Sequence, residues 1–309
     1  TTPAMLVAGM GLIGAGCAPV LMASFYIFAR SYSPARFAAL ASFLVGFGNA
    51  GNVIASSPLA AAAEAFGWRA VMAVLALVTV SVALGILVLV RDPEREDHGG
   101  SSGLAGYLDI LSMRVIWPLV PLIALNYAPV VGIRGLWAGP FLSETRGLDA
   151  IAIGHITLAM ALAMVAGNFA YGPLDRWFGT RKWVAAAGNA IGVAVLVWLA
   201  LNAAAPITAI AVSFVAIGFF GSAYGLLMAH ARAFFPPHLL GRGVTLMNFF
   251  SIGGVGVMQV LSGSVVAAAS VPGEPYSGYV ALFWFYVITL GLAVALYLAS
   301  RDARPEVSA

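Results

Sequence analysis

Long apolar runs set the pattern of this chain. Nine stretches are long enough and apolar enough to cross a bilayer: Ala4–Ala29, Phe37–Phe66, Trp68–Val90, Val115–Leu142, Ala150–Phe178, Trp183–Leu201, Ile207–Arg232, Arg242–Ser270 and Tyr279–Ser300. A helix rises about 1.5 Å per residue and the hydrocarbon core is about 30 Å thick, so roughly 20 apolar residues span it. The runs lack the period-two alternation of a barrel strand, and each is predicted to be a transmembrane helix. The polar positions fall between the runs. The longest polar stretch, Arg91–Gly103, is charged and rich in Gly and Ser. It divides the chain into three helices over residues 1–90, a linker over 91–114, six helices over 115–301 and a tail over 302–309.

Composition makes lipid the natural solvent. Of 309 residues 61% are hydrophobic and 9% charged, where a soluble domain carries about 25% charged residues. The predicted class is therefore an all-α, polytopic membrane protein. The first run is too long for a signal-peptide core and has no basic segment before it, so it reads as a span. The single cysteine, Cys17, excludes an intramolecular disulfide, and no zinc or haem spacing exists. A net charge of +3 with singly scattered arginines leaves no nucleic-acid footprint. There is no phosphate-cradling Gly-Lys-Ser/Thr loop for ATP drive. No His, Asp or Glu cluster within the spans suggests an enzyme, so neither catalysis nor a cofactor is expected.

Charge also orients the spans. Nine helices place alternate loops on opposite sides. One side then holds Arg30, Arg36, Arg91, Arg95, Arg114, Arg176, Arg181, Lys182, Arg232, Arg242, Arg301 and Arg304, and the other only Arg69 and Arg146. The positive-inside rule makes the first side and the C-terminus cytoplasmic. The Ala-, Gly- and Arg-rich composition suggests a bacterial source, hence an inner-membrane location.

A repeat adds a further expectation. Ala29-Arg30-Ser31-Tyr32-Ser33-Pro34 ends the first span and Ala231-Arg232-Ala233-Phe234-Phe235-Pro236 the seventh, 202 residues apart. Both read Ala-Arg-x-aromatic-x-Pro, and a second arginine follows each, Arg36 and Arg242. Spans one to three thus correspond to spans seven to nine. Spans four to six lack a counterpart unless three helices once preceded Thr1. The expectation is nine helices of a twelve-helix protein, with transport by these nine alone not expected.

Three places then resemble the major facilitator superfamily, a family built from two parallel six-helix halves. They are Gly67-Trp68-Arg69, the long linker, and Gly172-Pro173-Leu174-Asp175-Arg176-Trp177-Phe178-Gly179-Thr180-Arg181-Lys182. The last is similar to the family's signature loop, although Gly172 stands one residue too near Asp175 and Gly179 one too far. Where proton antiporters of the family end a motif with Gly-Pro, this chain has Ser57-Pro58, which does not support antiport. The resemblance covers family helices four to twelve. It implies a monomeric secondary transporter of a small solute by alternating access, coupled to protons, to another ion or to neither. It also implies a gate-latch role for Asp175, Arg176 and Arg181. A membrane receptor or sensor on the same fold is the alternative.

Polar residues inside the spans are the candidates for solute contact. Arg134 is the one basic residue well inside a span. A charge at that depth costs at least about 2.5–3.5 kcal/mol and normally faces a wet cavity or a partner. Tyr127 lies seven residues earlier on the same helical face, while Asn126 and Trp137, eleven apart, share a neighbouring one. Pro118, Pro121, Pro129, Gly132, Gly135 and Pro140 predict a kinked helix, and broken helices at membrane depth usually line cavities. Asn248, Ser251, Gln259 and Ser262 form one polar stripe, Ser42, Asn49, Asn52 and Ser56 another. By resemblance both flank the central cavity, with Asn52 and Gln259 the strongest candidates and Tyr224 a further one. Interhelical hydrogen bonding is the plainer reading of such stripes. A lone intramembrane arginine leans toward an organic anion, whereas the aromatic and methionine content suits a hydrophobic solute. Glycines at 9, 11, 14 and 16, and at 253, 254 and 256, are expected to permit close helix packing.

Overall fold

The computed structural model describes residues 2–20, 57–90 and 105–303, with isolated positions between 20 and 57. Every regular element among them is helical. Seven helices are long and apolar enough to cross a membrane: Trp68–Leu89, Val120–Arg146, Ala150–Phe178, Arg181–Leu201, Ile207–Arg232, Leu240–Ala269 and Ser277–Tyr297. They coincide within a few residues with seven of the predicted spans. The end of the first predicted span and much of the second fall outside the described residues, as do Asn52 and the rest of its stripe, so the count of nine is untested.

Two compact units divide the chain, Thr1–Asn52 with Phe66–Gly99 and Val53–Ala65 with Gly100–Ala309. The first holds α1 (Pro3–Cys17) and α3 (Trp68–Leu89); α2 (Ser57–Phe66) lies where the division falls. Helix α3 has a mean hydropathy of 2.8 and buries no residue. An apolar helix exposed along its whole length is stable only where the surrounding solvent is itself apolar. Gly9, Gly11, Gly14 and Gly16 have no neighbour within 4 Å for an added Cβ among the described residues. The packing role expected of them is therefore not seen there.

The longer stretch of the second unit, Gly100–Ala309, begins with a helix that the linker assignment overlooked. Helix α4 (Ala105–Ser112) lies inside the predicted linker and buries Gly106 and Ile110. Gly106 lies directly against the Arg242 side chain, which an added Cβ would displace. The first crossing of this unit is broken into α5 (Val120–Leu125), α6 (Ala128–Gly132), a π-helical turn (Ile133–Trp137) and α7 (Ala138–Arg146). There follow α8 (Ala150–Phe178), α9 (Arg181–Leu201), α10 (Ile207–Phe220), α11 (Tyr224–Arg232), α12 (Leu240–Ala269) and α13 (Ser277–Tyr297). Helix α8 packs most extensively on α10, α9 on α13, and α12 on α5 and α13. The core is aromatic: Phe141 meets Tyr279 edge-on at 5.1 Å and Phe283 at 5.7 Å between ring centroids.

The helix ends follow from local chemistry. Asp149 caps α8 by accepting from the Ala152 amide at 2.7 Å, and Thr180 caps α9 by accepting from Trp183. Between α8 and α9, Gly179 takes φ +64, a left-handed conformation that a side chain would strain. That tight turn brings the end of one helix beside the start of the next. The C-terminal segment is tied to the same place. Asp302 accepts from the Thr180 hydroxyl at 2.6 Å and from the Lys182 amide at 3.0 Å. Lys182 Nζ donates to the carbonyls of Leu298 and Ser300. Burial pushes the Asp302 carboxyl up, but the bonds from Thr180 and Lys182 outweigh it and hold the group below its ordinary value.

Candidate functional site

The broken first crossing is where polar chemistry enters the bundle. Prolines stand at 121, 129 and 140, and none can donate a backbone hydrogen bond. Pro140 leaves the Leu136 carbonyl without its usual donor, and the turn before it widens to a π-helix, with the Ala138 amide bonding the Ile133 carbonyl. Single π turns within α-helices are frequent at functional sites. This one contains Arg134, which is half-buried and whose Nε donates to the Thr157 carbonyl on α8 at 3.4 Å.

A second break occurs where the sequence predicted one continuous span. Between α10 and α11 the chain leaves helical bonding at Gly221-Ser222-Ala223. The groups freed there find other partners: Tyr171 donates its hydroxyl to the Phe220 carbonyl at 2.7 Å, and Ser222 Oγ bonds the Gly218 carbonyl. That is the condition for irregular backbone at membrane depth. The break places Tyr224 at the start of α11. Its ring tilts against Tyr127 at 6.4 Å, and its hydroxyl donates to Asn248 Oδ1 at 2.6 Å. Tyr127, Tyr224 and Asn248 are therefore grouped across α6, α11 and α12, the first two by ring contact and the last two by a hydrogen bond. Gln259 is half-buried eleven residues beyond Asn248, which is three turns further on the same face of α12.

Other predicted residues lie elsewhere. Asn126 is 1% exposed in the bundle interior and donates to Asn189 Oδ1 on α9 at 2.6 Å. Trp137 donates from Nε1 to Ser262 Oγ on α12 at 2.9 Å and stacks edge-on against Tyr279. The two do not share a face as their eleven-residue spacing predicted. The extra residue of the π turn rotates the positions after it by about 100° relative to an α-helix. Likewise Ser251 and Ser262 are buried while Asn248 and Gln259 lie on a more open flank, so the expected single stripe divides in two.

The predicted gating residues meet at the basic end of the bundle. Asp175 is buried and accepts from Arg181 Nε at 3.3 Å, while Arg181 Nη1 donates to the Ala229 carbonyl on α11. Arg176, one residue on from Asp175, is exposed. All three border a cavity of about 760 Å³ together with Asn168, Ser222 and Arg232. Arg232 was not among the sequence candidates. Its signal was the repeated Ala-Arg-x-aromatic-x-Pro segment, read there only as evidence of duplication.

Seven described helices long and apolar enough to cross a membrane, two of them broken, define a multi-pass membrane protein. The chain belongs to the Major Facilitator Superfamily, whose family model matches residues 1–136 and 130–309. Its members are membrane transporters. No curated protein matches the chain.

Proposed function

We propose that this protein is a secondary active transporter of a small organic anion, working by alternating access about a midplane site. Arg134 in its π turn carries this reading: a cation kept half-buried within a span, beside a break that a purely structural helix does not need. Tyr127, Tyr224 and Asn248 supply hydroxyl and amide groups for the rest of the solute, with Gln259 further along. Trp137 and Asn126 support the broken helix from behind, through Ser262 and Asn189. On this reading the seven described spans take the places of the family's sixth to twelfth helices, and residues 115–301 form the C-terminal bundle. The test is flux: a panel of radiolabelled mono- and dicarboxylates offered to proteoliposomes holding the protein. Accumulation or counterflow of one of them is expected. Tight binding without flux of any panel member would instead make the protein a receptor on a transporter fold.

The sidedness belongs to the same proposal. Twelve basic residues against two favour a cytoplasmic C-terminus in a bacterial inner membrane. Each basic residue near an anionic leaflet is worth about 1 kcal/mol. A phosphatase reporter fused after Ala309 should be inactive, and a cytoplasm-active fluorescent reporter should light up. Phosphatase activity from that fusion would reverse the topology.

A further inference from the structure

The cavity at the basic end of the second unit is bordered near Tyr224 by Ser222 and Gly225 and extends to the arginines at its far end. Arg232 lies eight residues beyond Tyr224, or about 12 Å along α11. Three arginines and one aspartate border the cavity. Asp175 is engaged with Arg181, which is also bonded to the Ala229 carbonyl. That pair cancels in charge and fixes one guanidinium in the wall. Arg176 and Arg232 remain, both exposed, and among the described residues neither has an acid in salt-bridge reach. Each closes the last turn of a helix, α8 and α11. The helix dipole accounts for a cation at each of these ends. It does not account for two helices placing those cations on the border of one hollow, where like charges repel. Asn168 adds a donor: one N–H of its amide bonds the Met164 carbonyl, and the other remains for a ligand.

The geometry points to an oxyanion site in this cavity, in which the guanidinium forks of Arg176 and Arg232 hold a carboxylate or phosphate group and the fixed Arg181 flanks it. Planar forks suit such groups through paired N–H···O bonds. A cavity of about 760 Å³ lies in the size range of sites that enclose a small organic ligand. The oxyanion comes either from a soluble anion or from the headgroup of an anionic lipid. The site does not depend on Arg134, so it stands or falls separately from the proposed transport reading.

The experiment reads binding to the purified protein. Titration calorimetry with inorganic phosphate and with succinate, in micelles free of anionic lipid, detects a soluble anion. Native mass spectra after exchange into mixed phosphatidylcholine and phosphatidylglycerol detect selective retention of the anionic lipid. One of these signals is expected from the wild type, weakened at least tenfold in Arg176→Gln and Arg232→Gln and lost in the double variant. Arg301→Gln, an exposed cation outside the cavity wall, should leave it unchanged. Arginine modification by phenylglyoxal gives a readout on the unaltered protein. The ligand that binds should protect Arg176 and Arg232 and leave Arg301 reactive, which decides the matter even if a variant fails to fold. Absence of both binding signals in the wild type, or binding that survives the double substitution, would overturn the site.

Discussion

Replacing Arg134 by alanine should cost transport at least one to two orders of magnitude in substrate affinity while the protein still reaches the membrane in normal amount. The side chain is half-buried, and its Nε reaches the Thr157 carbonyl on α8 at 3.4 Å. At that length and to a neutral acceptor, the bond is weak. A charged group in the span costs at least about 2.5–3.5 kcal/mol on insertion scales, and removing it lifts that cost. Lifting that cost offsets part of what the side chain's contacts contribute to folding, whereas a bound anion loses its charged partner outright. A hydrogen bond to a charged partner is worth about 1.5–3 kcal/mol, and every 1.4 kcal/mol is about tenfold in affinity. Arg134→Lys keeps the charge but loses the planar fork and should fall between wild type and alanine. Uptake kinetics of the three proteins, normalised to membrane abundance, check the prediction. Wild-type affinity and rate in Arg134→Ala would remove Arg134 from the solute path. A variant that no longer accumulates would make it a brace between the π turn and α8.

The spans were legible in the sequence because burial in lipid leaves an uninterrupted apolar run, and seven of them recur within a few residues. What hydropathy averages away was not legible. Gly221-Ser222-Ala223 sits in an apolar run and scores like its neighbours. The carbonyl that the break frees, that of Phe220, is taken by Tyr171, some fifty residues earlier. The kink of the first crossing was legible from its prolines, but its form was not. Only a π turn moves Trp137 onto α12 and α13 while Asn126 faces α9. Helix α4 was missed because it is short and adjoins the Gly- and Ser-rich stretch, and it is steadied by a contact with Arg242 far along the chain. Of the proposed site, the residue types were visible and their grouping was not. Tyr224 meets Asn248 only because α11 starts afresh after the break. Asp175 and Arg181 were visible as a pair through a local motif, since the turn at Gly179 joins them within seven positions of sequence.

Three glycines on α12 make the packing argument testable within one helix. Gly253, Gly254 and Gly256 looked alike in the sequence as small residues permitting close contact. The structure separates them. A Cβ on Gly254 would overlap the Ala124 carbonyl oxygen of α5, whereas one on Gly253 or Gly256 would meet nothing within 4 Å among the described residues. The obstacle at Gly254 is backbone, so no side-chain rotation relieves it, and α12 must move away from α5. Such overpacking typically costs about 1–3 kcal/mol. At Gly253 and Gly256 the only change is the gain from replacing glycine by alanine within a helix, about 0.5–1 kcal/mol. Gly254→Ala should therefore lower the melting temperature of the detergent-solubilised protein by several degrees. The two neighbouring substitutions should leave it level or slightly raised. Because α5 leads directly into the crossing that carries Tyr127 and Arg134, Gly254→Ala should also weaken solute binding beyond what its loss of stability explains. Melting curves for the three variants decide the first point and binding isotherms at matched folded fraction the second. An unchanged melt for Gly254→Ala, or an equal loss at Gly253 and Gly256, would show that α12 does not approach α5 through this glycine.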